Sequence, residues 1–306
     1  MITRRTLLKT AIGLGLSGFG LVGYACAVEP WGHRVTRYRP QLPNWPEGMK
    51  LRVALIADLH ACEPWMGLPR VEGIVADTNA LAPDLILLLG DYIAHHRFVR
   101  RAIPAADWAR ALSGLKAPLG VHAILGNHDW WDDAEAQARG RGPIRAQRAL
   151  EAVGIPVYEN DARRLVTREG RAFWLAGLGD QWAFQRNRKG LKRRPRSIRG
   201  IHNLPATLAK ITDSAPVLLM MHEPDAFTTV PPRVALTVAG HTHGGQVAIA
   251  GFAPVVPSRY GSRFAYGHIV EDGRHLIVSG GLGCSLAPVR LGMPPEIVLL
   301  ELGERA

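Results

Sequence analysis

The sequence predicts a layered α/β fold. Three observations carry that expectation. Short runs rich in Val, Ile and Leu, each bounded by turn residues, recur along the chain. Helix-like segments separate several of them. Five of the runs end in Asp, Asn or His, and in open α/β sheets ligands gather at the carboxyl ends of strands.

In chain order, Leu51–Ala57 runs into Asp58-Leu59-His60, and Asp84–Leu89 into Gly90-Asp91. Val121–Leu125 runs into Gly126-Asn127-His128-Asp129, Val217–Met221 into His222-Glu223, and Ala235–Ala239 into Gly240-His241-Thr242-His243. Such runs read as strands buried on both faces. Helices are expected over Leu68–Ala80, Ile103–Leu115 and Pro143–Val153, the last with Pro at its start and Gly154 as its stop. Arg163–Gly177 reads as a hairpin turning at Arg168-Glu169-Gly170, and His275–Ser279 and Glu296–Leu302 supply further strands. No internal repeat is evident.

The 306 residues suffice for one large domain or two small ones, and 47% hydrophobic with 21% charged residues excludes disorder over most of the length. The chain divides into an address (1–27), a Pro- and Trp-rich linker or N-terminal arm (28–48) and one domain (49–306). The address holds Arg4, Arg5 and Lys9, then an uncharged stretch from Thr10 to Val28. A charged start followed by a moderate apolar segment is a secretion signal, and the paired arginines resemble the twin-arginine export motif. Four readings stay open. The segment is cleaved after Ala27, stays as a membrane anchor, is lipidated at Cys26, for which Gly23-Tyr24-Ala25 is a poor lipobox, or forms a buried N-terminal helix, against which its glycines count. The expected location is periplasmic or otherwise extracytoplasmic, with the twin-arginine export machinery as a partner. The formal charge of +11 favours anionic partners without choosing among them.

The strand-end residues point to chemistry. Asp58 and His60 lie two apart after a strand, so a bend there turns both into one site; His241 and His243 repeat the spacing. Asp91, Asn127 and His222 complete the set. Carboxylate, imidazole and amide donors without thiolate suit Mn, Fe or Zn rather than a Cys-type structural zinc. Seven donors are too many for one tetrahedral ion and suit two ions sharing a carboxylate. Paired metals roughly 3.5–4 Å apart clamp an in-line displacement at phosphorus. His128 is the candidate to protonate a leaving oxygen, with Asp129 beside it as the carboxylate that orients and charges the imidazole.

Together these five blocks resemble the calcineurin-like metallophosphoesterase superfamily, in the family's order and with similar separations. The resemblance implies a four-layer αββα sandwich. It implies Asp58, His60, Asp91 and His243 as ligands of a first metal, and Asp91, Asn127, His222 and His241 as ligands of a second, with Asp91 bridging. It also implies a metal-bridging hydroxide as nucleophile and His128 as general acid. The twin-arginine start, the His-Thr-His-Gly-Gly-Gln run and the ending Ser279-Gly280-Gly281-Leu282-Gly283 … Pro295-Glu296-Ile297 further resemble the membrane-associated phosphodiesterase branch typified by YaeI and YkuE. That branch usually carries Arg where this chain has Gly280.

The expected function is therefore hydrolysis of a phosphoester, most naturally a diester. One alternative is a UDP-2,3-diacylglucosamine-type pyrophosphate hydrolase acting on lipid-linked substrates. Another, from a different class, is a non-catalytic binding or scaffold protein on the same fold. Arg186–Arg199 holds eight Lys or Arg and no acid. It reads as a solvated loop or as a contact for anionic headgroups. Without interleaved aromatic residues, nucleic acid is not the expected partner. Trp130 and Trp131 are core residues or an apolar lip beside the metals, to which Trp182 and Phe184 would add. His95 and His96 face either the substrate or solvent. Of the three cysteines, Cys62 and Cys284 are expected as unpaired thiols, with a disulfide between them as the alternative.

Overall fold

The computed structural model describes residues 20–186 and 197–304. In chain order the strands of its two large sheets are β1 (Arg34–Tyr38), β2 (Leu51–Ile56), β3 (Leu85–Leu88), β4 (Val121–Ala123), β5 (Asp161–Val166), β6 (Ala172–Gly177), β7 (Val217–Met220), β8 (Leu236–Ala239), β9 (Gly267–Glu271), β10 (Arg274–Val278) and β11 (Glu296–Leu302). The helices are α1 (Leu68–Ala80), α2 (Ala105–Leu112), α3 (Asn127–Asp132), α4 (Ala134–Arg139), α5 (Arg145–Ala152) and α6 (Leu204–Leu208). The first sheet has the order β1-β11-β2-β3-β4 and the second β9-β10-β8-β7-β6-β5. Within the first, β2, β3 and β4 are parallel; within the second, β6, β7, β8 and β10 are parallel.

The side-chain alternation of each strand sets the layers. In β2, Leu51, Val53 and Leu55 point between the sheets, where they meet Phe173, Leu218, Val238 and Ile277 of the second sheet. Ala54 and Ile56 point the other way, onto Ile74, Trp108 and Leu150 of α1, α2 and α5. On the far face of the second sheet, Trp174, Val217 and Leu276 pack against Leu204 of α6, with Phe227 and Phe264. The result is helix, sheet, sheet, helix, with a thin outer fourth layer. Strands with apolar residues on both faces need this double cover, which is why the sequence shows continuous rather than alternating runs.

The structure departs from the sequence reading at the arm. Residues 34–38, expected to be linker, form edge strand β1, paired parallel to β11. Three of its five residues are only half-buried and two are exposed, so it carries no apolar alternation to read. Glu296, wholly buried at the start of β11, fastens this edge: its carboxylate accepts from Thr36 Oγ1, Tyr266 Oη and the Gly280 amide. Cys26, Cys62 and Cys284 are all free thiols. The basic run expected to meet anionic surfaces falls largely on 187–196, outside the described residues. Its flanks, Phe184–Arg186 and Ser197–Arg199, pair as a short antiparallel ribbon. Residues 1–19 of the address also lie outside the described residues; 20–27 are helical. Among the described residues, no helix is long and apolar enough to cross a membrane.

The interface between the sheets makes the fold testable. Leu300 of β11 is fully buried there, between β1 and β2. Leu300→Ala should cost about 2–5 kcal/mol in chemical denaturation; a loss below about 1 kcal/mol would mean that the two sheets do not share a packed core.

Candidate metal centre

The parallel strands of both sheets run toward the same seam, and their ends bring the predicted residues together. Asp58 and His60 follow β2, Asp91 follows β3, Asn127 follows β4, His222 follows β7, and His241 and His243 follow β8. Asp58, His60, Asp91, His241 and His243 all adopt left-handed backbone, with φ between 47° and 71°. This tight bend lets residues two apart share one site, while Leu59 between them is buried in the core. Asp and His tolerate that conformation better than β-branched residues do. The loops are stitched to one another: the Asp58 amide donates to Gly90 O, the His60 amide to Asp91 O, and the Gly240 amide to His222 O. Gly126 permits the closest approach, since a Cβ there would lie 2.3 Å from Asp91 Oδ1.

Two groups result, Asp58–His60–His243 and Asp91–His222–His241, all six residues buried, the donor atoms of each group within 4.8 Å of one another. Asp91 Oδ2 lies between them, 3.2 Å from His222 Nε2 and 3.6 Å from His60 Nε2. His60 Nε2 is 3.1 Å from His243 Nε2, which is 3.6 Å from Asp58 Oδ1. Asn127 Oδ1 joins the second group, 2.9 Å from His241 Nδ1.

The hydrogen bonds behind these rings test whether cations fit. His60 Nδ1 lies 2.9 Å from Ile93 O, and His222 Nδ1 lies 2.7 Å from Leu89 O. A carbonyl accepts only, so each Nδ1 carries a proton and donates, which leaves each Nε2, facing the Asp91 carboxylate, as the atom that binds a cation, whether a proton or a metal ion. A buried carboxylate facing two such nitrogens demands a positive charge between them. His241 Nε2 is buried without a hydrogen-bond partner. The titration of the groups agrees. Burial lowers His60 and His241 to about 3 and His243 well below its ordinary value, leaving neutral rings fit for metal ligation. Burial also opposes charge on His222, but the adjacent Asp91 carboxylate overcomes it and holds this ring well above its ordinary value. For Asp91, burial is outweighed by the charge of His222, which keeps it well below the usual carboxylate range. Burial pushes Asp58 up to about 7. The donor set therefore fits two cations sharing Asp91.

Asp129 was expected to orient His128, and the structure places it elsewhere. Its carboxylate accepts from the amides of Asp91, Tyr92 and Gly126, at 2.9 Å each. It holds the loop that presents Asp91, because α3 starts directly after Gly126 and directs the Asp129 side chain back over its own first turn. His128 is instead fixed by its amide, which donates to Asp91 Oδ1 (2.8 Å), and by Ser285 Oγ, 3.2 Å from Nε2. Its Nδ1 is buried and unpartnered, and burial lowers its pKa. His95 is exposed, its ring 5.7 Å from that of His128 and its Nε2 3.1 Å from Asp132 Oδ1; His96 is buried.

Of the four aromatic residues considered for a lip, two take that place. Trp131 and Trp182 line a cavity of about 330 Å³ that opens onto Asp91, Asn127, His128, His241 and His243. Trp131 Nε1 donates to Trp182 O at 2.9 Å, and the Trp182 ring stands 4.6 Å from that of His241. Trp130 and Phe184 turn inward and pack edge to face at 5.2 Å. One helical step separates Trp130 from Trp131, which is enough to put them on different faces.

Arg290 had no signal in the sequence. It is fully buried, and its guanidinium donates to Gly280 O, Gly281 O, Gly283 O and Met293 O, with Nη2 also 3.2 Å from His243 Nδ1. The glycine turn it organises presses on the ligands: a Cβ on Gly281 (φ +68°) would lie 2.7 Å from Asp58 Cβ. Asp180 and Glu223 form a second unforeseen feature, two fully buried carboxyls beside His222. Burial raises both; the Glu223 charge and a hydrogen bond between the two carboxyls raise Asp180 further, while the His222 charge and that same hydrogen bond pull Glu223 back down.

This geometry is that of a dinuclear phosphoesterase, and the chain belongs to the calcineurin-like phosphoesterase family, whose model matches residues 51–245. It is a metal-dependent phosphoesterase. The chain is 30% identical to "Phosphodiesterase YaeI" of Escherichia coli over 99% of its own length and 100% of the relative's. It is 28% identical to "Uncharacterized metallophosphoesterase YkuE" of Bacillus subtilis over 98% of each chain. Among solved structures, a dimetal phosphatase from Danio rerio is similar at 16% identity and a TM-score of 0.39, over 76% of this chain and 88% of that one.

Two measurements probe the centre. Because the Asp91 carboxylate raises the proton affinity of His222, a cation entering there competes with that proton. Calorimetry of Mn or Zn binding in buffers of different ionisation enthalpy should show net proton release, with affinity rising as pH rises; binding without proton release would contradict the His222–Asp91 assignment. Arg290→Met leaves four carbonyls without their donor and should cost on the order of 3 kcal/mol, with a lower metal content in the folded protein. Unchanged stability and metal content would remove Arg290 from this role.

Proposed function

We propose that the protein hydrolyses phosphodiesters at this centre, with His128 protonating the leaving oxygen. The observation that carries the reading is the cavity beside the ligands. Among the described residues lining it, none is Lys or Arg, and its walls include Trp131, Trp182, Val247 and Val289. A phosphomonoester dianion calls for cationic donors beyond the metals, whereas a diester carries one charge and an organic group on each side. Gly280 in place of Arg agrees with that: its amide donates to Glu296, and the guanidinium beside it, that of Arg290, is fully buried and occupied by backbone carbonyls.

A pair of divalent cations held by Asp58, His60, Asp91, Asn127, His222, His241 and His243 supplies charge stabilisation to a phosphoryl group and lowers the pKa of water. The protein's own groups do the rest. Asp91 fixes His128 by its backbone amide at 2.8 Å. Ser285 Oγ, 3.2 Å from Nε2, orients the ring, and the protonated imidazole gives its proton to the leaving oxygen. Trp131 and Trp182 exclude water from the side where the ester group sits. The donor chemistry favours Mn, Fe or Zn. The paired arginines at Arg4 and Arg5 support export in the folded, metal-loaded state, with the enzyme acting outside the cytoplasm.

The full chain, stripped of metal and reloaded with Mn, Zn, Fe or Mg, should hydrolyse bis-p-nitrophenyl phosphate faster than p-nitrophenyl phosphate. Asp91→Ala should abolish turnover. His128→Ala should keep its metal and lose about 100-fold or more in turnover. Full activity in that variant would remove His128 as the acid, and a preference for the monoester would overturn the diesterase reading.

A further inference from the structure

The outer mouth of the cavity is more apolar than catalysis requires. Leu286 and Val255 line it and are 75% and 61% exposed. Beside them the Ile249–Phe252 hairpin, closed by reciprocal backbone hydrogen bonds of 2.9 and 3.0 Å, displays Ile249 at 64% and Phe252 at 67% exposure. Single exposed apolar residues are ordinary; a cluster around one opening marks an interaction surface.

The rim is joined to the N-terminal segment by backbone hydrogen bonds. The Ala248 amide donates to Leu291 O (2.8 Å) and the Leu291 amide to Gln246 O (2.9 Å), so the hairpin hangs on the segment that follows Leu286. On the opposite edge of that segment, the Arg290 amide donates to Ala25 O at 2.9 Å. The N-terminal helical residues 20–27 are thus fastened to the same short stretch. Leu21, Val22 and Tyr24 among them are 50%, 63% and 46% exposed. The joint is rigid: the Glu29 carboxylate accepts from the Gly292 and Met293 amides (3.0 and 2.7 Å), and Arg70 donates to Pro30 O (2.6 Å). Arg290 and Leu286 are four residues apart, at most about 14 Å of extended chain. The described end of the N-terminal apolar segment, residues 20–28, therefore enters the domain beside the cavity mouth.

We propose that this rim docks on a lipid bilayer, and that the substrates are phosphodiesters displayed at its surface, their apolar portion entering between Trp131, Trp182 and Leu286. The substrate half of this inference rests on the diesterase reading; the docking half does not. A bilayer, rather than a protein, is the occupant because the rim continues into an apolar N-terminal stretch and the chain carries a net charge of +11, which anionic headgroups attract.

The test uses the full chain reconstituted into vesicles of phosphatidylglycerol and phosphatidylcholine. A Cys26→Ser, Phe252→Cys chain labelled with the fluorophore NBD, its buried Cys62 and Cys284 inert, reports on docking. Blue-shifted emission quenched by doxyl groups on the lipid chains is expected, and water-like emission overturns docking. Turnover is then compared for bis-p-nitrophenyl phosphate in solution and for a diacylglycerol p-nitrophenyl phosphate in the vesicles. Ile249→Ser/Phe252→Ser should hydrolyse the soluble diester as before and the vesicle diester roughly tenfold more slowly or worse, since two large apolar side chains lose their burial. Equal loss on both substrates, or on neither, overturns the proposal, as does an embedded rim with hydrolysis of the soluble diester alone. If the unaltered chain cleaves neither diester, the diesterase reading fails and the NBD emission still decides the docking.

Discussion

A single buried carboxylate governs the molecule. Asp91 is 1% exposed, and an anion so deep is stable only with positive charge and hydrogen bonds supplied from every side. The protein supplies the His128 amide to one oxygen and the edges of His60 and His222 to the other. Imidazoles cannot neutralise it alone while burial keeps most of them uncharged. Divalent cations held by Asp58, His60, Asp91, Asn127, His222, His241 and His243 would supply the missing charge, which would make metal binding and the integrity of this corner of the fold one problem.

Holding donors around Asp91 is costly, and the fold is arranged to bear it. Five residues of the centre sit in left-handed backbone, at on the order of 1 kcal/mol or more each. They persist because rigid neighbours over-determine them. Asp129 ties down three amides of the Asp91 and Asn127 loops, the Gly281–Gly283 turn is packed against Asp58 and His60, and Arg290 closes that turn from below. Behind these loops, two sheets with fully buried strands leave no room for the strand ends to drift apart. The same logic explains why a glycine is required at Gly126, where another residue would collide with Asp91 and His222.

Much of this was legible in the sequence, for a physical reason. A strand buried on both faces must be a continuous apolar run, so β2, β3, β4, β7 and β8 stood out, and polar endings on such runs had nowhere to go except a shared site. α1 was also plain, its bounds at Leu68 and Ala80 set by Pro69 and by the loss of apolar spacing. What escaped were features whose signal is not local. β1 is half-exposed and finds its partner 262 residues away, Arg34 opposite Glu296. Arg290 looks like any surface arginine until the carbonyls of the glycine turn surround it. Asp129 was assigned to His128 because it is adjacent in sequence, but the first turn of α3 directs it to the amides of the Asp91 loop instead. Trp130 and Trp131 could not be told apart without knowing which face of α3 meets the core.

The site is therefore built from two materials with opposite demands. Its floor is a dense set of polar groups, satisfied by strained loops and buried hydrogen bonds, where any slack would misplace a ligand. Its inner wall, Trp131 and Trp182, stands on the floor itself, and its outer mouth is apolar and lies on segments that carry no metal ligand, the hairpin at 249–252 and the stretch that begins at Leu286. The mouth reaches the floor only indirectly, through Gln246, which accepts from the Ser285 amide, and Ser285, which reaches His128, whereas the inner wall touches it, Trp182 at His241 and Trp131 at His128. In the function proposed above, chemistry at phosphorus belongs to the floor and the choice of ester to the wall, which this chain lines with Trp, Val and Leu. Ile249, Phe252 and Leu286 can therefore change without moving a metal ligand.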